Sequence, residues 1–494
     1  MHLLTGATGY IGGRLLRRLE RDGSAVRCLC RHPEALAWRV APGTEVVQGD
    51  LQHPAPLDAA FSGVDTAFYL VHSMNSGDEF EAEERTAAHN FAVAARKAGV
   101  RRIVYLGGLA HGEGLSAHMR SRLETGNTLR ASGVPVIEFR ASIVIGSGSA
   151  SFEMIRALVE RLPVMITPRW VNTAAQPIAV EDVIDYLAAS VKLPATGSLT
   201  FEIGGADVTS YMGIMREYAR QRKLRRWIVR VPFLSLSLSS RWLTLITPLY
   251  AAIGRSLIAS VRNPSVVRDP AALTAFDIRP MGIARAIERA LSNEDRGMAE
   301  TRWSDARTRA GLASSLPKPD AHLFVNTQTV RVPVDPVQAF APIRRIGGRT
   351  GWHFGNTLWR IRGLVDLMMG GVGMRRGRPN PEHPFPGSTL DFWRVEAYEP
   401  NRRLRLFAEM KVPGRAWLEF RAEPQGAWTV LTQRAEFEPR GLVGILYWYL
   451  LAPIHEVMFR RMLRRIASVA CHPQQNDLEI YGEPGKLGET EVIR

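Results

Sequence analysis

The first residues whose spacing could do chemistry are Gly6, Gly9 and Gly12, in the run Thr5-Gly6-Ala7-Thr8-Gly9-Tyr10-Ile11-Gly12. The run joins a short apolar segment to one with helical periodicity, which fits a strand-to-helix turn. Gly6 permits the tight turn, Gly9 lets the backbone approach a ligand, and Gly12 lets the helix pack closely on a sheet. N–H groups of the first helical turn would then face an anion, reinforced by the helix dipole. Thr5, Thr8, Tyr10 and Ile11 share this turn, and the anion it suits is the pyrophosphate of a nicotinamide dinucleotide. The spacing is GxxGxxG rather than GxGxxG, so its weight comes from its place after a strand and before an amphipathic helix.

The second strand ends at Cys30-Arg31-His32, about 20 residues on, where an acid would ordinarily hold a ribose 2′-hydroxyl. An arginine there suits a 2′-phosphate, so NADP(H) is favoured over NAD(H). The other use for Arg31 is to stack on adenine or face solvent.

Alternating strands and helices must position these residues. Strands are expected at His2–Thr5, Ala25–Cys30, Glu45–Gln48, Thr66–Val71, Arg102–Leu106 and Val136–Arg140. Tyr10–Arg21, Glu83–Ala98 and Ala117–Ala131 have helical periodicity, followed by Gly23, Gly99 and Gly133 where C-capping glycines belong. The fold class is therefore α/β, a doubly wound parallel sheet. This first domain is expected over 1–291, with a substrate-covering region from about 150 that includes helices at Phe152–Arg161 and Val180–Ser190. Residues 292–322, rich in charge, Gly, Pro and Ser, read as a linker, and 471–494 as a flexible tail.

Between them lies a second, α+β domain at 323–470. Its strands are expected at Leu323–Pro333, Leu390–Ala397, Arg403–Lys411, Ala416–Ala422 and Trp428–Phe437. Pro336–Ile346 is a short helix, and Leu442 to about Val469 a long one, around which the sheet would curl.

Composition narrows the class. The 494 residues are 46% hydrophobic and 22% charged, which excludes wholesale disorder. Three cysteines, Cys28, Cys30 and Cys471, are too few for a disulfide framework and imply a reducing, cytoplasmic setting. The net charge of +15 is spread along the chain and has no basic module with interleaved aromatics, so nucleic acid is not expected as a partner. Peripheral contact with an anionic membrane suits it better. Arg14, Arg17, Arg18 and Arg21 would share a solvated helix face. Phe233–Ile258 and Gly441–Met458 are apolar, but Arg241, Arg255 and Pro248 interrupt the first, and Pro453, His455 and Glu456 the second. Neither makes a clean membrane span. Nothing in the sequence sets the oligomeric state.

Several motifs together resemble a known family. The Thr5–Gly12 run, Cys30-Arg31-His32, Gly49-Asp50-Leu51 and Ala98–Gly108 (AGVRRIVYLGG) resemble atypical short-chain dehydrogenase/reductases of the NmrA-like and epimerase types, over residues 1 to about 290. The resemblance implies that Asp50, with Leu51 beside it, touches adenine. It also implies that Leu70, Val71, His72 and Ser73 line the nicotinamide ribose. Ser388–Val395 (STLDFWRV) and Phe437–Gly441 (FEPRG) resemble the DUF2867 domain, which in turn looks like a START/Bet v 1 helix-grip fold enclosing hydrophobic ligands.

The family's catalytic tyrosine and lysine, four apart on one helix, are replaced by His118 and Arg122, and its serine by Gly107-Gly108. Two readings follow. Either His118 exchanges a proton while Arg122 anchors the ribose and favours neutral imidazole, or the chain binds NADP(H) without reductase chemistry, as a sensor or membrane-peripheral binding protein. Ser116, Ser121 and His111 are nearby substitutes. On the first reading the chain is an NAD(P)H-dependent oxidoreductase for a hydrophobic carbonyl or quinone-like compound.

Other polar residues have simpler uses. His353, His383 and His455 are not at metal-ligand spacing, and no metal is expected. Glu181-Asp182 suits a helix N-terminus. Asp391, Arg394 and Glu396 fit two-sided strand patterning or a polar cavity lining. Trp448, Tyr449 and Phe459 fit core packing or an apolar ligand.

Overall fold

Leu3 and Leu4 lie in β1 (His2–Thr5) with no exposed surface, and β4 (Thr66–Tyr69) is buried along its whole length. Strands covered on both faces read as continuous apolar runs, as these do. In the computed structural model they join β2 (Val26–Cys30), β3 (Glu45–Gln48), β5 (Arg102–Gly108), β6 (Val136–Ala141) and β7 (Leu199–Ile203) in one sheet. The order is β7-β6-β5-β4-β1-β2-β3, with every pairing parallel. The structure describes residues 1–472 apart from 34–35, 37–38, 56, 73–79, 110, 113, 195–196, 231–262, 296–322, 349, 370, 376 and 379–383.

Helices α1 (Tyr10–Arg21), α2 (Phe80–Lys97) and α3 (Ala117–Ala131) connect the strands, at or close to their expected bounds. The strand order reverses between β1 and β4, so their carboxyl ends diverge and leave a crevice where ligands of such sheets bind. The glycine run sits at that crevice. Helices α4 (Ala150–Arg161) and α5 (Val180–Ala189) appear in the covering region as expected. Strand β7, which the sequence reading did not include, pairs with β6 and extends the sheet. Only its alternate side chains are buried, and its first two residues are exposed, so it gives no continuous apolar run. Arg14 also departs from expectation. It is buried, donates to the Ser147 carbonyl at 3.0 Å and lies over the Tyr10 ring, whereas Arg18 reaches the surface carboxylates Asp22 and Asp185.

The chain divides into two units, Met1–Leu312 and Ala313–Arg494. Most of the expected linker lies outside the described residues, and its first four residues end the helix Ile283–Asp295. The second unit contains β8 (Phe324–Val332), α6 (Pro336–Arg344), α7 (Asn356–Met368), β9 (Thr389–Leu390), β10 (Trp393–Glu399), β11 (Arg403–Ala408), β12 (Gly414–Gln425), β13 (Trp428–Pro439) and α8 (Gly441–Cys471). Its sheet is antiparallel in the order β8-β13-β12-β11-β10-β9. Period-two alternation divides its faces. Leu404, Leu406, Leu418, Phe420, Leu431 and Phe437 are buried on one, while Arg403, Arg405, Glu419, Glu436 and Glu396 pair on the other.

Two further corrections arise here. The strand expected over Leu390–Ala397 is two strands, turning at Asp391, whose φ is +54°. The Asp391 carboxylate fixes that turn, accepting from Trp352 Nε1 at 2.8 Å and the Gly348 N–H at 3.2 Å. Helix α7 was not anticipated at all. Leu358, Ile361, Leu364 and Met368 on its solvent face erase the contrast between faces that marks a surface helix.

Helix α8 runs 31 residues and continues through Pro453, His455 and Glu456, the residues that argued against an uninterrupted apolar segment. On length and composition it could cross a membrane, and 22% of its most apolar 18-residue window is buried. Its second half packs into the unit through Met458, Phe459, Met462, Leu463, Ile466, Ala467 and Ala470. The other apolar stretch, Phe233–Ile258, lies outside the described residues.

Candidate active site

Gly6 and Gly12 occupy places that a β-carbon could not share. Gly6 has φ +75°, and a β-carbon there would stand 2.5 Å from the Leu70 carbonyl oxygen at the end of β4. At Gly12 it would meet the Gly6 carbonyl oxygen at 2.2 Å. Gly9 caps α1 and donates to that same carbonyl at 2.8 Å. Gly13 is the first residue of the helix whose N–H reaches a carbonyl one turn back, that of Gly9. The N–H groups of Tyr10, Ile11 and Gly12 therefore precede the first helical acceptor. The first turn carries no acidic side chain. This cradle fits a dinucleotide pyrophosphate.

The other residues of the run have different uses. Thr5 is buried, and its hydroxyl donates to the Phe68 carbonyl at 2.9 Å and accepts from the Leu70 N–H at 3.3 Å, fastening β1 to β4 beside the crevice. The Tyr10 ring packs with its hydroxyl 2.4 Å from where a β-carbon of Gly146 would be. Ala7 is buried, while Thr8 and Ile11 are partly exposed.

Arg31 is exposed and His32 partly so, just past the carboxyl end of β2, where Arg31's carbonyl accepts from Gln48 Nε2 at 3.3 Å. Asp50 is partly buried after β3 and accepts from the Gln52 N–H at 3.1 Å. Leu51 is buried, with its carbonyl held by Asn90 Nδ2 at 2.8 Å. Leu70, Val71 and His72 follow β4, and Ser73 lies outside the described residues.

Ser116 caps α3 by accepting from the Met119 N–H at 3.2 Å, and the following turn carries His118, Ser121 and Arg122. The imidazole rings of His118 and His72 lie 4.8 Å apart between centroids. Behind them is a residue the sequence reading missed, Glu84 of α2. One oxygen of its carboxylate bonds His72 Nδ1 at 2.7 Å, and the other accepts from the Ser121 hydroxyl. Glu84 falls on the same stripe as buried Ala87, Ala88 and Phe91. A carboxylate at helical spacing among core alanines was the available signal.

Burial and charge set the protonation states. Burial, the neighbouring His72 and the Arg122 cation together push His118 down to about 3. His72 is also lowered, first by burial and then by Arg122, against the pull of Glu84. Burial would raise Glu84, but the hydrogen bonds from His72 and Ser121 and the charge of Arg122 outweigh it and hold it at about 2. Near neutrality the cluster is thus a carboxylate, a neutral His72 donating Nδ1–H to it, and a neutral His118.

Arg122 is aimed back at β5. Its guanidinium donates to the Leu106 carbonyl and lies 5.3 Å over the Tyr105 ring, while the Tyr105 hydroxyl donates to the Arg122 carbonyl at 2.9 Å. At the family's serine position, a β-carbon on Gly108 would meet only the flexible end of the Met119 side chain, at 2.7 Å from Cε. His111 stands apart from the cluster, against the Val266 carbonyl at 3.0 Å.

The remaining candidates are tied into the scaffold. Asp182 is buried, accepts from the Met281 N–H at 2.8 Å, and is raised to about 6, chiefly by burial. Glu181 pairs with Arg289 at 3.2 Å. Arg394 and Glu409 form a buried pair at 2.7 Å, and Glu396 joins the charged outer face through Arg405. Trp448 stacks between Phe324 and Phe437, Phe459 is buried and Tyr449 is exposed. His353 meets the Pro342 carbonyl, and His383 lies outside the described residues. Among the described residues no three His, Cys, Asp or Glu are grouped to hold a metal.

Residues 6–132 match a family described as NAD(P)H-binding, and residues 319–462 match a protein of unknown function, DUF2867. The chain is 28% identical over 232 residues to a ceramide reductase from Caulobacter vibrioides, covering 46% of this chain and 73% of that protein. It is 36% identical over 184 residues to a (4-alkanoyl-5-oxo-2,5-dihydrofuran-3-yl)methyl phosphate reductase from Streptomyces griseus, covering 35% of this chain and 61% of that one. Among solved structures, an NADPH-dependent quinone oxidoreductase from Escherichia coli complexed with NADPH has a TM-score of 0.48 and 19% identity, over 59% of this chain and 99% of that one.

Proposed function

We propose that this chain, in which an NAD(P)H-binding domain of reductase type is joined to a DUF2867 domain, reduces a hydrophobic carbonyl or quinone-like compound with NADPH. The observation that carries this is the Glu84–His72–His118 constellation at the mouth of the β1/β4 crevice, beside the strand end that follows the phosphate cradle. When bound, the dinucleotide supplies a hydride. The first turn of α1 would hold its pyrophosphate, Asp50 and Leu51 its adenine end, Leu70 and Val71 its nicotinamide ribose, and Arg31 a 2′-phosphate.

The protein's own contribution is electrostatic. Held neutral, His118 keeps an N–H that can be donated to a substrate oxygen as negative charge grows there. Glu84 fixes the orientation of His72 by accepting its Nδ1–H, and His72 supports His118 from behind. Arg122 acts on this pair through its charge, which favours neutral imidazole. The names of the two reductase relatives support reductase chemistry in general. A substrate with an apolar body and a polar group is supported by the second unit, where, among the described residues, the amide of Gln433 is buried without a hydrogen-bond partner on the sheet face it shares with Leu431 and Phe437. That unit would hold or hand over the compound.

A second reading is favoured by one observation. With His118 near 3 there is no imidazolium at neutral pH to deliver a proton, so the cluster would equally suit a protein that binds NADP(H) as a signal. The two separate in one experiment. Purified protein is titrated with NADPH and NADH by cofactor fluorescence, then assayed with long-chain aldehydes, ketones and quinones. Turnover that His118→Ala abolishes while NADPH affinity stays within about twofold supports the reductase. Tight NADPH binding with no oxidation across the panel supports the sensor.

A further inference from the structure

The first half of α8 has a face that none of the described residues of its unit covers. Leu442, Val443, Leu446, Tyr449, Leu450, Ile454 and Val457 recur three or four residues apart on one side, with Leu442 83% and Leu446 and Leu450 each 72% exposed. The opposite side, through Gly444 and Trp448, is packed on the β13 end of the sheet. A helix apolar on both sides is expected to be covered on both.

Beside it lies α7, whose Leu358, Ile361, Leu364, Met368 and the following Met369 are exposed in the same way. The two helices meet where α7 begins, since a β-carbon on Gly355 would touch Met458 of α8 at 3.6 Å. Together these side chains form an exposed apolar surface beyond the isolated leucines of an ordinary exterior.

The charges around this surface identify its occupant. Exposed Arg440 begins α8, Arg360 flanks the stripe of α7, and Arg460, Arg461 and Arg464 follow the apolar half of α8 on its solvent side. The face itself carries one acid, Glu456, which is engaged by Asn326, Gln328 and Arg460. A second copy of the chain would set arginine rim against arginine rim. A surface apolar at depth and negative at its boundary matches both features, and the exposed Tyr449 ring suits the headgroup level.

We propose that α7 and the first half of α8 form a monotopic docking face that seats this chain on an anionic phospholipid bilayer. The apolar half of α8, about 25 Å long at 1.5 Å per residue, lies in the plane of the interface, with its arginines among the phosphates. The proposal does not depend on the chemistry assigned to the crevice, which lies in the other unit.

Flotation of the full-length protein through a density gradient tests it, because aggregates sink while vesicles rise. The vesicles are phosphatidylcholine alone or phosphatidylcholine with phosphatidylglycerol. Roughly tenfold more protein is expected to float with the anionic vesicles, and added salt should reduce that excess. The double variant Leu446→Asp, Leu450→Asp is expected to stay at the bottom, with its circular dichroism and NADPH affinity unchanged. Three outcomes would overturn the proposal. These are no flotation with phosphatidylglycerol, undiminished flotation of the double variant, and a dimer in light scattering that the variant splits, which would make a second copy the occupant.

Discussion

His118 and Glu84 differ in what neutral pH does to them, and that difference can be measured. His118 is lowered from 6.5 to about 3, so between those values the unfolded chain holds a proton that the folded chain does not. Stability then falls as pH drops through that window. Glu84 is lowered from 4.5 to about 2, so its contribution is complete above 4.5 and is lost as pH falls toward 2. From pH 7 to pH 5 Glu84 contributes no change, and comparing a His118 variant with the parent separates His118 from His72 and Asp182, which also titrate there. His118→Asn is expected to gain about 2 kcal/mol relative to the parent between pH 7 and pH 5 in urea unfolding. A gap between the two proteins that does not change with pH would mean that water reaches the ring and holds its pKa near 6.5.

At the level of elements, one arginine links the strands across the outer face of the second unit's sheet. Arg405 of β11 pairs with Glu396 of β10 at 2.7 Å, Glu419 of β12 at 3.1 Å and Glu436 of β13 at 2.8 Å, tying four adjacent strands together. Its side chain is 11% exposed, and those of Glu419 and Glu436 are 3% and 8% exposed. Removing it would leave carboxylates short of a partner where water cannot easily replace it, whereas ion pairs on an open surface contribute little. Arg405→Ala is expected to cost about 3 kcal/mol in urea unfolding, and Arg421→Ala, on the same face but 44% exposed in its side chain, less than about 1 kcal/mol. Equal small effects would show that the network adds no stability to the sheet.

For the whole molecule, two units with the phosphate cradle in only one imply that cofactor binding stabilises the chain unevenly. Calorimetry is expected to show two transitions. Saturating NADPH should raise the first unit's transition, by about 2.7 kcal/mol at a hundred times Kd, and leave the other in place. A single transition that moves as a whole would mean that the units unfold together.

The sequence by itself determined the succession of strands and helices from β1 to β6, the parallel class of their sheet, and the turn where glycine is required. These follow from local rules, since buried parallel strands give apolar runs and only glycine fits where Gly6 and Gly12 meet neighbouring backbone. Its expectation that His72 lines the nicotinamide ribose and that His118 stands at the catalytic position came only through a likeness to a family. Tertiary structure decided the rest. Glu84 joined the site because α2 carries it across β4 to His72, a contact between residues twelve apart that no local pattern encodes. The neutral state of His118 came from burial and from the Arg122 charge, which depend on packing. Strand β7, the turn at Asp391 and helix α7 escaped notice because edge strands, left-handed turns and helices with two apolar faces lack the periodic contrast that sequence reading relies on. The same property leaves α7 and α8 with apolar surface facing outward, and only folding shows which side of each helix that is.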